Sequence, residues 1–243
     1  MMLLDRFLLL TPLDFAALAL LLVASRGIGW WIENPGLARP SVTVLMADYR
    51  RAWLREFVTR QPRIFDATIL STLRQGTTFF ASTCVIAIGG VMALLGNSEA
   101  LGVIAEDFTE ANVPMVVWEI KLLLVALFLT DGFLKFVWSN RLFGYCAVVM
   151  AAVPNDTDDP VAYARAAQAG EINVRAAWNF NRGLRAMYFS LGSAAWLLGP
   201  WALIAATCFT CWILWSREFR SRPREILLSA PSPIAEGPQV ARK

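Results

Sequence analysis

The strongest constraint on this chain is a series of long apolar blocks, with the arginines gathered into the segments between them. The blocks lie at about residues 7–24, 69–95, 113–137 and 186–215. An α-helix of about 20 predominantly apolar residues crosses a hydrocarbon core about 30 Å thick, and each block is of that order. Apolar residues make up 57% of the 243, above the roughly 45–50% of a water-soluble domain, so the excess calls for a lipid solvent. In lipid a lone segment satisfies its backbone groups only as a helix. The expected fold is therefore all-α: a polytopic membrane protein with about four transmembrane helices, long cytoplasmic helical extensions and one amphipathic basic helix. Residues 1–224 read as a single membrane domain. Residues 225–243, with Ser229-Ala230-Pro231-Ser232-Pro233 and Gly237-Pro238, read as a disordered tail.

Along the chain, Pro12 and Asp14 interrupt the first block, which lacks the clean apolar core and small-residue cleavage site of a signal peptide. It is expected to be an uncleaved helix, with Trp30 and Trp31 in an interfacial belt. Between residues 41 and 60, Val42, Leu45, Met46, Tyr49, Trp53 and Phe57 recur every three or four residues, opposite Asp48, Arg50, Arg51, Arg55, Glu56 and Arg60. That pattern predicts an amphipathic helix lying on anionic lipid or packed on the membrane domain. The segment 96–112 carries Glu99, Glu106, Asp107 and Glu110 with no lysine or arginine, which marks a non-cytoplasmic loop. The third span is expected to continue as helix beyond the membrane surface towards Val153. The loop 154–160 then stops it, and Asp159-Pro160 caps a new helix. The last block holds Gly199-Pro200 at its centre and is read as one kinked, tilted span. With four crossings this leaves Arg217, Arg220, Arg222 and Arg224 on the face opposite the other arginines. The alternative is a re-entrant hairpin that bends at Gly199-Pro200 and returns the tail to the cytoplasm.

Several chemistries drop out. There is no histidine, so a histidine-ligated haem, a histidine proton relay and a Ser/His/Asp arrangement are excluded. Cys84, Cys146, Cys208 and Cys211 all lie in apolar segments, where thiols act as small hydrophobes. Cys208 and Cys211 have the spacing of a metal or redox pair but no partner ligands. The acidic run 155–159 opens like a calcium loop, yet Pro160 replaces the turn glycine and no glutamate closes it. No metal or cofactor is expected, a net charge of +3 gives no reason to expect nucleic acid, and nothing positive supports an enzyme.

The informative residues are charges near the ends of spans, because ionisable groups in a bilayer are costly and face protein or a wet cavity. Lys121, Asp131 and Lys135 fall within one face of the third span, and Asp131 and Lys135 form an i, i+4 pair. Arg74, with Gln75, Thr77 and Thr78, joins Asn179, Arg182 and Arg185 in a basic, amide-rich surface expected to face Asp131 and Asp66. The candidate binding residues are therefore Arg74, Lys121, Asp131, Lys135, Asn179 and Arg182. Two readings fit them. One is a polar pocket for a small anion or anionic lipid head group, the other a set of structural ion pairs that lock helices together.

Three blocks, RQPRIFDATILSTLRQGTTFFAST, EIKLLLVALFLTDGFLKFVWSNRLFGYC and NFNRGLRAMYFSLGSAAWLLGPW followed by SREFRS, resemble a bacterial membrane family known as domain of unknown function 599. The resemblance covers most of the chain except the tail. It implies a multi-spanning protein of the bacterial inner membrane and brings no catalytic or binding residues with it. It also implies Gln, Phe or Tyr, and Asn after Ser139-Asn140-Arg141, where this chain has Leu142-Phe143-Gly144, so no role rests on a polar side chain there. Two functions are expected to compete. The first is a membrane protein that binds or passes a small anionic solute or lipid through a cytoplasm-facing pocket. The second is a non-catalytic accessory or scaffolding subunit. The expected partners are the lipid bilayer, an anionic lipid or small anion, and a second copy or another membrane protein.

Overall fold

A computed structural model describes residues 10–36, 39–97 and 114–229, and every regular element among them is helical. In chain order these are α1 (Pro12–Glu33), α2 (Val42–Glu56), α3 (Ile64–Leu95), α4 (Met115–Ala151), α5 (Ala162–Ala194), a 3₁₀ turn (Ala195–Leu198), α6 (Pro200–Phe219) and α7 (Arg222–Leu228). The acidic segment expected on the non-cytoplasmic side falls almost wholly outside the described residues.

Pro12 and Asp14 start α1 rather than interrupt it. Thr11 is the N-cap, Pro12 sits in the first turn, and Asp14 completes a reciprocal box. The Thr11 hydroxyl oxygen accepts from the Asp14 N–H at 3.2 Å, while the Asp14 carboxylate accepts from the Thr11 N–H at 3.0 Å. The helix consequently runs on to Glu33, nine residues past the expected end, and takes Trp30 and Trp31 into its last turns. The amphipathic helix α2 occupies most of residues 41–60, with Ser41 as its N-cap. Helix α4 continues to Ala151, as its sequence implies. The next helix starts later than Asp159-Pro160 predicts. The Asp159 carboxylate accepts from the Val161 N–H, forming a turn that precedes Ala162.

The single kinked span at 186–215 is corrected. Helix α5 is continuous from Ala162 to Ala194, and the chain then turns at Gly199, whose φ of +116° only glycine adopts cheaply. Pro200 opens α6, where its missing N–H costs nothing. The two limbs are antiparallel: Arg217 Nη1 donates to the Tyr188 hydroxyl at 2.5 Å, and Thr210 lies against Gly192. The chain thus reverses at the position where the re-entrant alternative placed its bend, and α6 by itself is about 30 Å long at 1.5 Å per residue. Helix α7 also takes the first residues assigned to a disordered tail, from 225 to 228, and Ser221 caps it.

The longest interface joins α4 and α5 antiparallel, with α3 along α4's other side. Small residues bring the three backbones together, since a Cβ on Gly132 would lie 3.4 Å from the Gly183 carbonyl and 3.7 Å from Cys84 Sγ. One layer further on, Phe80, Phe136 and Phe180, one from each helix, pack ring to ring with centroids 5.5–5.6 Å apart. Beyond that, the Ser139 hydroxyl donates to the Ala176 carbonyl.

Two cores lie on either side of this junction. At one end α1 and α6 pack with α5 through Leu21, Ile32, Phe189, Leu203 and Leu214. At the other, α2 and the turn after it bury Leu54, Phe57 and Val58 against Phe143, Cys146, Met150 and Ala166. Arg63 pins that end by donating to the Val153 and Pro154 carbonyls just past α4.

Among the described residues, α1 and α3 are long and apolar enough to cross a membrane. Neither is hidden: 22% of the most apolar stretch of α1 is buried and 6% of that of α3. An apolar helix in a water-soluble core would be buried all round, whereas this surface is presented outward.

A methyl group on Gly183 would sit 2.8–2.9 Å from the Phe136 ring, which is fully buried between Phe80 and Phe180. Gly183→Ala is expected to destabilise the bundle by about 1–3 kcal/mol, the usual range for overpacking. Thermal unfolding in detergent would check this, and a variant as stable as the parent would mean the aromatic layer yields freely.

Candidate functional site

Charged side chains gather where α1 ends. Glu33 projects from its last turn, and Arg182 and Arg185, three residues apart, share one face of α5. The Glu33 carboxylate accepts from Arg182 Nε at 2.8 Å, from Arg182 Nη2 at 2.6 Å, and from Arg185 Nη2. Glu33 is 12% exposed and Arg185 9%, so that pair is largely desolvated, whereas Arg182, at 41%, keeps one edge of the triad in water. Gly29, one turn earlier on α1, leaves room for the Arg185 side chain, whose Nε would lie 3.5 Å from a Cβ there.

The same face continues onto α4. Lys135 Nζ is 2.5 Å from the Asp131 carboxylate. A cavity of about 530 Å³ opens between α1, α4 and α5, lined by Glu33, Asp131, Lys135, Arg182 and Arg185, with Arg26 among its walls. That is four cations against two carboxylates, and Arg26 has no carboxylate in ion-pair range among the described residues.

Three of the six candidate residues, Asp131, Lys135 and Arg182, thus line one cavity, and the other three lie elsewhere. Lys121 is ten residues, about 15 Å, nearer the opposite end of α4. There it is buried over the rings of Trp118 and Trp196, close to Asp14, which accepts from Trp196 Nε1 at 2.7 Å. Arg74 is exposed on α3 and faces Asn140 at 3.4–3.5 Å. Asn140 is nine residues from Asp131, half a turn out of phase at about 100° per residue, so Arg74 is on the far side of α4. Asn179 donates to the Arg175 carbonyl within its own helix. Asp66 is fully buried with Arg60 and Trp53 at the α2–α3 corner, and does not face this site. The sequence reading missed Glu33 and Arg26. A carboxylate placed just after Trp30-Trp31 at a helix end was the available signal for the first.

Among the described residues no group of three or more acidic, cysteine or histidine side chains could hold a metal. All four cysteines are free; Cys84 and Cys146 are buried, and Cys208 is exposed on α6.

An exposed ion pair offers a contrast. Arg51 on α2 reaches Glu171 on α5 at 2.6 Å with both side chains about half exposed. The hydrogen bond from Arg51 holds the Glu171 carboxyl below its ordinary value of 4.5. A depressed carboxyl stabilises the fold above that ordinary value, and the contribution is lost as pH falls through the lower folded one.

Fold and site together define an all-helical bundle with two exposed, membrane-length apolar helices and a charged layer at the end of one of them. The chain belongs to the family described as protein of unknown function, DUF599, whose model matches residues 16–223. No curated protein and no solved structure matches it.

Glu33→Gln is expected to cost about 3–5 kcal/mol, because it leaves two guanidinium groups without their counter-charge, one of them buried. Glu171→Gln should cost at most about 1 kcal/mol. Denaturation in detergent at pH 7 and again near pH 4 would check both; the difference between parent and Glu171→Gln should shrink at the lower pH.

Proposed function

We propose that this chain is a polytopic protein of the bacterial inner membrane which binds an anionic group, on a lipid or a small solute, in the cavity between α1, α4 and α5. The observation that carries the reading is the composition of that cavity, four cations to two carboxylates, with Arg26 unpaired among the described residues. An excess of guanidinium and ammonium groups beside apolar walls suits a phosphate or carboxylate head. The neighbouring side chains Leu22, Leu124, Leu127 and Phe128 suit an acyl chain or apolar body.

The topology proposed with it has five crossings, α1, α3, α4, the second half of α5, and α6. Exposed Ile86 on α3, Leu127 on α4, Leu191 on α5 and Trp201 and Trp212 on α6 support a lipid-facing belt around the whole bundle end. An odd number of crossings takes the tail arginines to the side that already carries Arg50, Arg51, Arg55, Arg60, Arg63 and Arg141. The positive-inside rule then makes that side cytoplasmic without exception among these segments. A second reading, an accessory subunit, draws on a groove of about 910 Å³ between α3 and α4 flanked by exposed Phe79. A stoichiometric partner recovered by native mass spectrometry would favour it.

Reporter fusions after Arg224 should give a cytoplasmic signal; a periplasmic one removes the fifth crossing. In nanodiscs, the protein should be stabilised by anionic lipid over zwitterionic lipid, or by inorganic phosphate in zwitterionic discs if the ligand is a free anion. Arg26→Gln and Lys135→Gln should each weaken that stabilisation about tenfold, the equivalent of one charge-assisted contact of about 1.5 kcal/mol. Equal behaviour of parent and variants in both arms rejects the anion site and leaves the charges as helix locks.

A further inference from the structure

The flank between α3 and α4 carries two grooves that meet. The larger, of about 910 Å³, opens towards the loop after α4 and reaches Arg63 and Pro154. The smaller, of about 580 Å³, runs the other way, between Val85 and Ile86 on α3 and Phe133 and Val137 on α4. Both share Thr78 and Asn140, and the Asn140 side-chain amide donates to the Thr78 hydroxyl at 2.7 Å across the junction. Seven residues separate Thr78 from Val85 along α3, so the smaller groove extends about 10 Å from the junction.

Two guanidinium groups flank this junction, one from each helix. Arg74 lines the larger groove and Arg141 the smaller, and both are exposed. The contact from Arg74 to Asn140 Oδ1 is long, at 3.4–3.5 Å, and Arg141 donates through Nε to the Tyr145 hydroxyl. Among the described residues neither arginine has a carboxylate in ion-pair range, and no aspartate or glutamate lines either groove. Arg63, the remaining cation of the walls, is already bonded to the backbone carbonyls past α4.

Their level in the bundle separates these arginines from solvated surface charges. Asn140 lies five residues, about 7.5 Å, beyond Lys135 on α4, on the arginine-rich side of the charged layer. Val85, Ile86 and Val137 are exposed on the lipid-facing side of the junction. A lipid in the leaflet on the arginine-rich side therefore meets the guanidinium groups with its head and the smaller groove with a chain. A free anion makes no use of the apolar limb. A zwitterionic lipid brings an ammonium group for which these walls hold no carboxylate.

We infer that the junction of the two grooves binds an anionic phospholipid, its phosphate accepting from Arg74 and Arg141 and one acyl chain lying along Val85, Phe133 and Val137. The inference rests on the proposed topology, in which α3 and α4 both cross the membrane. It is independent of the anion cavity between α1, α4 and α5, with which these grooves share no lining residue.

The test is native mass spectrometry of the full chain in detergent, titrated with phosphatidylglycerol and, separately, with phosphatidylcholine of the same acyl chains. Phosphatidylglycerol should bind about tenfold more tightly. Arg74→Gln and Arg141→Gln, both at exposed positions, should each weaken one bound phosphatidylglycerol about fivefold, the equivalent of about 1 kcal/mol per arginine at a membrane surface. Arg26→Gln, in the other cavity, should retain that lipid, so the two sites fail separately, and the reporter fusion after Arg224 tests the topology by itself. Equal binding of the two lipids, phosphatidylglycerol binding unchanged in the double variant, or displacement of the lipid by glycerol phosphate at the same concentration would each overturn the assignment. So would a second copy or another protein occupying the parent in place of lipid and lost from the double variant.

Discussion

The arrangement depends on one carboxylate held by two guanidinium groups. Glu33 is the last residue of α1, and through Arg182 and Arg185 it fixes the end of that helix to the middle of α5. Helix α1 and helix α6 both lie against the second half of α5, so this contact sets the level at which the short helices stop and the long ones continue. On one side of it the bundle has five helical limbs and an apolar surface. On the other, α2 closes over the remaining halves of α3, α4 and α5. Burying such a triad gains little net energy, because desolvation offsets most of the attraction. Its effect is on register: sliding α1 by one turn would strand a buried charge, an error far costlier than a slip between two apolar surfaces.

Two cations on one anion leave a net positive charge at this layer, and the neighbouring residues add to it. Lys135 is matched by Asp131, whereas Arg26 has no such partner among the described residues. The surplus is tolerable because Arg182 and Lys135 are 41% and 31% exposed, so water or an anion reaches the pocket mouth. A dry cluster of this composition would be strongly self-repelling. The proposed anion site and the topology thus rest on the same fact, an arginine layer that needs both a wet side and an apolar side.

How far the sequence foretold this differs from element to element. Helix α2 was legible because its apolar spacing and its arginines oppose each other cleanly, and α4 because nothing between Val113 and Val153 breaks a helix. The start of α1 was misjudged because Pro12 and Asp14 are breakers inside a helix but favourable in its first turn, and only the Thr11 hydrogen bonds distinguish the two settings. The α5–α6 hairpin was one of two options. Apolar content does not record direction, and the reversal rests on the backbone angle of one glycine. Counting from residue 186 also hides the length of the first limb, because α5 enters that block already helical from Ala162.

The candidate site was legible by helix face and not by helix neighbour. Periodicity correctly set Asp131 and Lys135 together, since i, i+4 geometry is internal to one helix. It carried no information on which helix each face meets, so Arg74 was grouped with Arg182 although α4 stands between them, Asn140 facing one and Asp131 the other. Arg50 illustrates the same limit from the opposite direction. Its position on the polar side of α2 marks it as one solvated arginine among several, alongside Arg51 and Arg55. Only the packing of α2 against α5 separates them: Arg51 reaches outward to Glu171, whereas Arg50, one residue and about 100° away, turns inward to buried Asn173. A charge that the helix could equally have placed in water is held instead against a buried amide on another helix, and that placement, invisible in the residue pattern, is what makes it informative.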